Sequence, residues 1–166
     1  MTAFEQFPAA SKVWIYAASR KLTPTEQERI KTMGSSFTAG WTAHQLQLRA
    51  SLFVMDDVFL VLLLDETLNP TSGCGIDKSV AFMKQLEQEF SISLFNRMQV
   101  EVMLDDEVFI TDKKGVAALY QEGKINDDTM VFNKLVHHKQ MLDQSFMIPL
   151  HLSWCYPAAK NGLLAD

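Results

Sequence analysis

The order of elements that the sequence predicts is strand, helix, strand, strand, helix, strand, which places the chain in the α+β class. Three observations carry that reading. The first is size and composition: 166 residues (18.8 kDa), 48% hydrophobic and 21% charged, with seven Gly and five Pro, suit one domain that buries its own core and exclude collagen-like or disordered character. The second is Thr23-Pro24-Thr25-Glu26, where a capping Thr, a Pro at the first helical position and a Glu at the third form a capping box. The third is the alternation of Leu46, Leu48, Ala50, Leu52 and Val54 with Gln47, Arg49 and Ser51, the period of a half-buried strand.

The elements follow in order. Val13-Trp14-Ile15-Tyr16-Ala17 is rich in strand formers and opens the fold. The capping box starts a helix from Pro24 to about Ala39, with Ile30, Met33 and Phe37 on its buried face and Gly40 at its end. After the alternating strand, Asp56-Asp57 reads as a two-residue turn, and Val58 to Leu64 returns antiparallel with both faces covered. A loop through Thr67 to Gly75 leads to a second helix over about Lys78 to Phe90, with Asp77 as N-cap and Val80, Met83, Leu86 and Phe90 on one face. Gln99 to Leu104 alternates as a strand, Asp105-Asp106 turns, and Val108-Phe109-Ile110 returns. This order is that of a ferredoxin-like βαββαβ core over about residues 13–104, carrying a C-terminal mixed extension over 105–166 packed on it as part of one domain. The extension reads as a short helix at Lys113 to Gln121 stopped by Gly123, a strand at Thr129 to Phe132 and a helical stretch within Asn133 to Gln144. Pro149 and Pro157 restrict the remainder to edge strand or coil.

Composition also bounds compartment and partners. Cys74 and Cys155 are too few for a disulfide framework and read as thiols in a reducing, cytoplasmic setting. The amino terminus shows no basic stretch followed by an apolar one, so a secretory signal is not expected. The longest apolar run, Val58 to Leu64, is far shorter than the roughly 20 residues a membrane helix needs. A net charge of −5, with no basic cluster larger than Lys113-Lys114, argues against nucleic acid.

Several segments together prompt a comparison with known sequences: Val13-Trp14-Ile15-Tyr16, Gly40-Trp41-x-Ala43-His44, Asp65-Glu66, Ser72-Gly73-Cys74-Gly75-Ile76-Asp77, Phe95-Asn96-Arg97, Val131-Phe132-Asn133-x-Leu135-Val136 and Ser153-Trp154. Over nearly its whole length the chain resembles an uncharacterised bacterial family whose members are often labelled "ABC transporter ATPase". It departs from that pattern at Gln45 and Gly75, where Gly and Ser are expected, and at Asn96, where Asp is expected. The label implies ATPase activity, which the sequence rejects: a phosphate-wrapping loop needs G-x-x-x-x-G-K-[ST], and Gly123-Lys124, the one Gly-Lys pair, is followed by Ile125. Within residues 113–149, the spacing of Leu119, Gly123, Ile125, Thr129, Val131 and Pro149 is similar to that of bacterial GYF-type interaction modules, without their name-giving aromatics.

The candidate chemistry follows from the expected topology. We expect the first and third strands to lie side by side and parallel at the centre of the sheet, so that Ser19-Arg20-Lys21 and the loop from Asp65 to Asp77 share one edge with both helix N-termini. That edge would hold a small anion through Arg20, Ser72 and the helix N–H groups, with Asp65 and Asp77 beside them and Gly73 and Gly75 admitting close backbone approach. The competing reading is a glycine-rich turn closed by carboxylate caps and an ion pair. Cys74, just before the second helix, is the candidate nucleophile, with Glu66 or Asp65 as proton acceptor, against its reading as a small buried hydrophobe. His44 follows the first helix and is expected at the opposite edge, out of reach of Cys74. No metal is expected: His137 and His138 are adjacent and would splay apart, and His151 and Cys155 are flanked by prolines. Asp56-Asp57, Asp105-Asp106 and Asp127-Asp128 read as turn residues.

Phe146-Met147-Ile148 and Ser153-Trp154-Cys155-Tyr156 carry more apolar surface than a solvated tail requires, and either cover a sheet face or meet a partner. The leading expectation is a cofactor-free, cytoplasmic binding or interaction protein that takes a small anionic ligand or a protein partner at the Arg20/Ser72–Gly75 edge. The rivals are a small thiol-dependent enzyme using Cys74, and a structural subunit that docks a partner through its C-terminal segment. Homodimerisation is a further expectation, because an open sheet often finds its cover in a second copy.

Overall fold

A computed structural model describes residues 1–162 and divides them into two compact units, each with its own antiparallel sheet. The first unit comprises residues 1–95 and 135–143, the second residues 96–134 and 144 onward.

In the first unit, strand β1 (Lys12–Ala17) leads to helix α1 (Pro24–Ala39). The expected capping box is in place: Thr23 Oγ1 accepts from Glu26 N at 3.2 Å, and the Glu26 carboxylate accepts from Thr23 N at 2.9 Å. A small ribbon follows, β2 (Thr42–Ala43) against β3 (Leu46–Gln47), then β4 (Arg49–Met55), β5 (Phe59–Asp65) and helix α2 (Gly73–Phe90). The sheet order is β1-β5-β4, with β5 antiparallel to both neighbours and buried along its whole length. Both helices pack on the face carrying Leu60, Leu62 and Leu64, where Phe37 of α1 stacks on Phe82 of α2 at 4.5 Å. On the opposite face, Phe4 and Phe7 meet Phe53 edge-on.

Two features of the expected core are corrected. The first and third strands of that reading, β1 and β5, are adjacent but antiparallel. The cause is local: α1 carries the chain back across the sheet, so β4 starts at the same end as β1, and the tight turn at Asp56-Asp57 sends β5 the other way between them. Gln99–Leu104, expected as the last strand of this core, belongs to the second unit. The outer side of β1 is instead met by a single antiparallel bridge from Lys12 to His138, with Val13 N donating to His137 O at 3.0 Å.

In the second unit, the sheet order is β7-β6-β8-β9, formed by β6 (Gln99–Leu104), β7 (Glu107–Asp112), β8 (Met130–Phe132) and β9 (Met147–Pro149). Helices α3 (Lys113–Gln121) and α5 (Tyr156–Asn161) cover one face, burying Val100, Val102, Val116, Val131, Leu150 and Cys155. Helix α4 (Lys139–Ser145) lies between β8 and β9 in the chain. Pro149 sits on an edge strand as expected, whereas Pro157 occupies the first turn of α5, a position where its missing N–H costs nothing. Residues of the hairpin turns, Asp56, Asp57, Asp105 and Asp106, all have positive φ, which accounts for Asp there as backbone punctuation. No helix among the described residues is long and apolar enough to cross a membrane.

Candidate functional site

Because β1 and β5 are antiparallel, the two groups of residues expected to form one site lie at opposite ends of the first sheet. At the end where β1 finishes, Arg20 is fully engaged. Its guanidinium donates to both oxygens of Glu26, at 2.9 and 2.8 Å, and to Phe90 O at 2.8 Å. It thus ties the first turn of α1 to the last turn of α2. The hydrogen bonds from Arg20, with that from Thr23 N, hold the Glu26 carboxyl down at about 2. Arg20 is therefore a structural clamp and leaves the ligand site.

Ser72, Gly73, Cys74, Gly75 and Asp77 sit at the other end, and α2 starts earlier than the sequence predicts. Its N-cap is Ser72, whose Oγ accepts from Gly75 N at 3.2 Å, so Asp77 is an exposed residue inside the helix and not its cap. The extra turn is anchored by Trp41, almost completely buried, which donates from Nε1 to Gly75 O at 2.8 Å. Gly75 faces protein and not a ligand: a Cβ there would stand 2.5 Å from Thr71 Oγ1 and 3.7 Å from Trp41 Nε1. Gly73, by contrast, has open space around it.

The carboxylates at this end are paired within the fold. Asp65 is buried and accepts from Arg49 at 2.7 Å, from Thr67 N at 2.9 Å and from the Thr67 hydroxyl. Those bonds, from Thr67 first and then from Arg49, hold its carboxyl below the usual range. Glu66 pairs with Lys12 at 3.2 Å and accepts from Thr71 N at 2.9 Å. Neither carboxylate bonds Cys74, so neither stands as its proton acceptor in this geometry. Cys74 itself is exposed, in the first turn of α2, which overturns its reading as a buried hydrophobe. Cys155 is the buried thiol; burial pushes its titration up, partly offset by Ser153, whose Oγ lies 3.1 Å from Sγ.

His44 was expected away from Cys74, and the true strand direction brings it to the same end. It occupies the β2–β3 turn with Gln45, both at positive φ, and that ribbon follows Trp41 directly. The Gly expected at position 45 fits that conformation better than Gln does. Asn69 Nδ2 donates to Gln47 O at 2.8 Å, which closes the 65–72 loop onto the ribbon.

The feature that sequence reasoning missed is a cavity of about 280 Å³ at this end, lined by Lys12, Val13, Trp14, Ile76, His137 and His138. It joins the start of β1, the first turn of α2 and the bridge segment. The two imidazoles do not splay apart; their ring centroids are 4.3 Å from each other. The reason is that residues 137–138 form one isolated bridge before α4 begins at Lys139, not a continuous strand or helix. No cluster of three metal-ligating side chains is found among the described residues. His151 and Cys155 are likewise separate: His151 Nδ1 lies 3.0 Å from Asp127 O at the surface, and Cys155 is in the core.

In the second unit, Asp127 gathers polar groups, accepting from the hydroxyls of Tyr120 at 2.6 Å and Tyr156 at 3.0 Å. A buried ion pair links Lys134 and Glu101, with Nζ 2.8 Å from Oε1 and 3.0 Å from Oε2. Of the C-terminal aromatics, Phe146 packs on Phe132 at 5.0 Å, while Trp154 is 45% exposed.

No family model, curated protein or solved structure matches the chain.

Proposed function

We propose that the chain is a non-enzymatic binding protein whose first unit takes a small anion in the cavity between Lys12, Trp14, Ile76, His137 and His138. The observation that carries this reading is the makeup of that cavity: two imidazoles and the Lys12 ammonium are among its lining residues, whereas Glu66, the carboxylate paired with that ammonium at 3.2 Å, is not. The neighbouring start of α2 adds the partial positive charge of a helix N-terminus. Trp14 and Ile76 supply the apolar wall that a carboxylate- or phosphate-bearing molecule would lie against. This keeps the Ser72–Gly75 end of the expected site and exchanges Arg20 for Lys12 and the histidine pair. Its setting is a split β-α-β arrangement in which the sheet order β1-β5-β4, with both helices on one face, has residues 137–138 in place of the last strand. The resemblance to the bacterial family labelled "ABC transporter ATPase" is compatible with a binding role, and the spacing within residues 113–149 with an interaction role for the second unit.

The test is a titration of inorganic phosphate into the isotope-labelled protein, followed by the amide signals of Ile76, His137 and His138 and the indole signal of Trp14. Saturable shifts confined to those signals are expected, and they should be absent in Lys12→Ala. Shifts that never saturate, or that survive Lys12→Ala unchanged, would defeat the reading.

A second reading, a thiol-dependent enzyme, is favoured by the exposure of Cys74 in the first turn of α2 and by His44 at the same end. It expects Cys74, on a Cys155→Ala background, to be alkylated much faster in the folded protein than in the unfolded chain. Alkylation no faster than in the unfolded chain would leave Cys74 an ordinary surface thiol.

A further inference from the structure

Strand β4 lies at the edge of its sheet, with β5 on one side only. The register shows which of its backbone groups are unmet. Ala18 N donates to Val58 O at 2.9 Å, so the even-numbered residues of β5 direct their N–H and C=O groups to β1 and the odd-numbered ones to β4. Phe59, Val61, Leu63 and Asp65 pair with Met55, Phe53, Ser51 and Arg49, which leaves the N–H and C=O groups of Ala50, Leu52 and Val54 on the outer side. Among the described residues, none of those groups has a backbone partner. Leu48, the next outward residue, is already taken, donating to Trp41 O at 3.0 Å, and beyond Val54 the chain turns at Asp56-Asp57. The open window is therefore centred on Leu52.

Such an edge normally carries protection: a Lys, a Pro, a bulge or a covering element. Within Arg49–Met55 the sequence is Arg-Ala-Ser-Leu-Phe-Val-Met, with a charge only at its first position and no Pro. Beside it runs a groove of about 550 Å³ lined by Ser35, Thr38 and Ala39 of α1 with Leu48, Ala50 and Leu68, and Leu68 is 80% exposed.

We propose that β4 pairs with β4 of a second copy of this chain, antiparallel about a two-fold axis at Leu52, joining the two first-unit sheets into one. A second copy presents the same three residues under a two-fold axis and so meets every group in the window. Leu52 would face Leu52 of the second copy, and Ala50 would face its Val54, so that each open N–H and C=O meets its complement. Charge agrees with the same register. Arg49, whose guanidinium also bonds Asp65 at 2.7 Å and Gln6 O at 3.0 Å within its own chain, would lie opposite Met55 of the second copy and next to the Asp56-Asp57 turn that follows it. A parallel or shifted pairing would set Arg49 beside its own equivalent or leave part of the window unmet. This contact lies on β4 and is independent of the anion reading, which concerns the outer side of β1.

The test uses the full chain. Sedimentation equilibrium over a wide concentration range is expected to show twice the 18.8 kDa mass of one chain. Ala50→Pro removes an outward N–H without touching a bond to β5, and edge strands accept Pro at such positions; it should weaken association at least tenfold while keeping the circular dichroism of the parent. A nitroxide at Ser51→Cys, on a Cys74→Ser background, reports the register even if Ala50→Pro fails to fold. Ser51 would pair with Phe53 of the second copy, placing the two Ser51 Cα atoms about 8 Å apart and giving strong dipolar broadening. A single-chain mass at every concentration, a dimer that persists unchanged in a folded Ala50→Pro, or a dimer without broadening at Ser51 would each overturn the proposal, the last two assigning the dimer to another surface.

Discussion

The two ends of the first sheet are built from similar materials and reach different outcomes. At one end, Arg20, Glu26, Thr23 and the last carbonyls of α2 satisfy one another, and Ser19 and Ser93 exchange hydrogen bonds of 2.9 and 3.0 Å across the loops. At the other, Asp65 and Glu66 are likewise paired, yet a cavity persists beside Lys12 and the two histidines. Each end holds one helix N-terminus, α1 at the closed end and α2 at the open one. The difference lies in the partner of the cap: α1 has a Glu three residues on that doubles as the acceptor for Arg20, whereas the first turn of α2 has no acidic residue. A helix start closed by its own carboxylate has little left to offer an anion. One without it still does.

The largest effect that sharpens this contrast is expected from Trp41→Ala. Trp41 is 1% exposed, bonds Gly75 O and packs against Phe37 and Trp14. Its removal should cost about 3–5 kcal/mol, the usual range for a buried aromatic. Denaturant unfolding measures that cost. In the milder Trp41→Phe, which loses the indole N–H but keeps most of the volume, the first turn of α2 should exchange its amide protons faster while the closed end keeps its protection. Equal loosening at both ends would break the contrast.

Arg20→Ala comes next, with an expected cost of about 1–2 kcal/mol from loss of the clamp on two helix ends. The same cluster gives an acid signature. Glu26 is lowered from 4.5 to about 2, so its contribution is present in full above the unfolded value and is lost as pH falls through the folded one. Stability of the parent should therefore decline between about pH 4.5 and 2 more steeply than that of Arg20→Ala, which has already lost the leading cause of the shift. Asp65 adds to the same limb in both proteins, because its carboxyl is also lowered, by Thr67 and Arg49. Parallel acid limbs in the two proteins would remove Arg20 from this role.

What the sequence made legible divides along the same line. The closed end could be read in advance, because the capping box is a local pattern and α1 begins where that pattern says. The aspartate pairs at 56–57 and 105–106 could be read as turns for a similar reason, since Asp tolerates positive φ and the hairpins need it. Long-range placement was less legible. Whether Gln99–Leu104 completes the first sheet or starts another depends on packing far along the chain, whereas the direction of β5 follows from the return through α1 and the Asp56-Asp57 turn. The strand pattern at 99–104 is the same in either sheet. The cavity was invisible for that reason: Lys12, Ile76 and His137 are widely separated in sequence and meet only through the β1 bridge. The early start of α2 had a local signal, Ser72 as a cap, but two glycines at 73 and 75 disguised it; the bond from Trp41 to Gly75 O anchors that turn, and the close approach of Thr71 accounts for Gly at position 75.

The smallest effect on stability, and the one that bears most directly on function, is expected from Lys12→Ala. Its ion pair with Glu66 spans 3.2 Å, and both side chains retain solvent contact. Exposed pairs of this kind contribute about 0–1 kcal/mol, so unfolding should barely move. Glu66 keeps its bond from Thr71 N, which limits the disturbance further. If Lys12→Ala abolishes the phosphate response while leaving stability unchanged, the two ends are separated by function as well as by structure: one residue can be lost with a cost in folding and none in binding, the other with the reverse. If Lys12→Ala instead destabilises as much as Arg20→Ala, Lys12 is a second clamp. The cavity beside it is then a packing gap at the sheet edge.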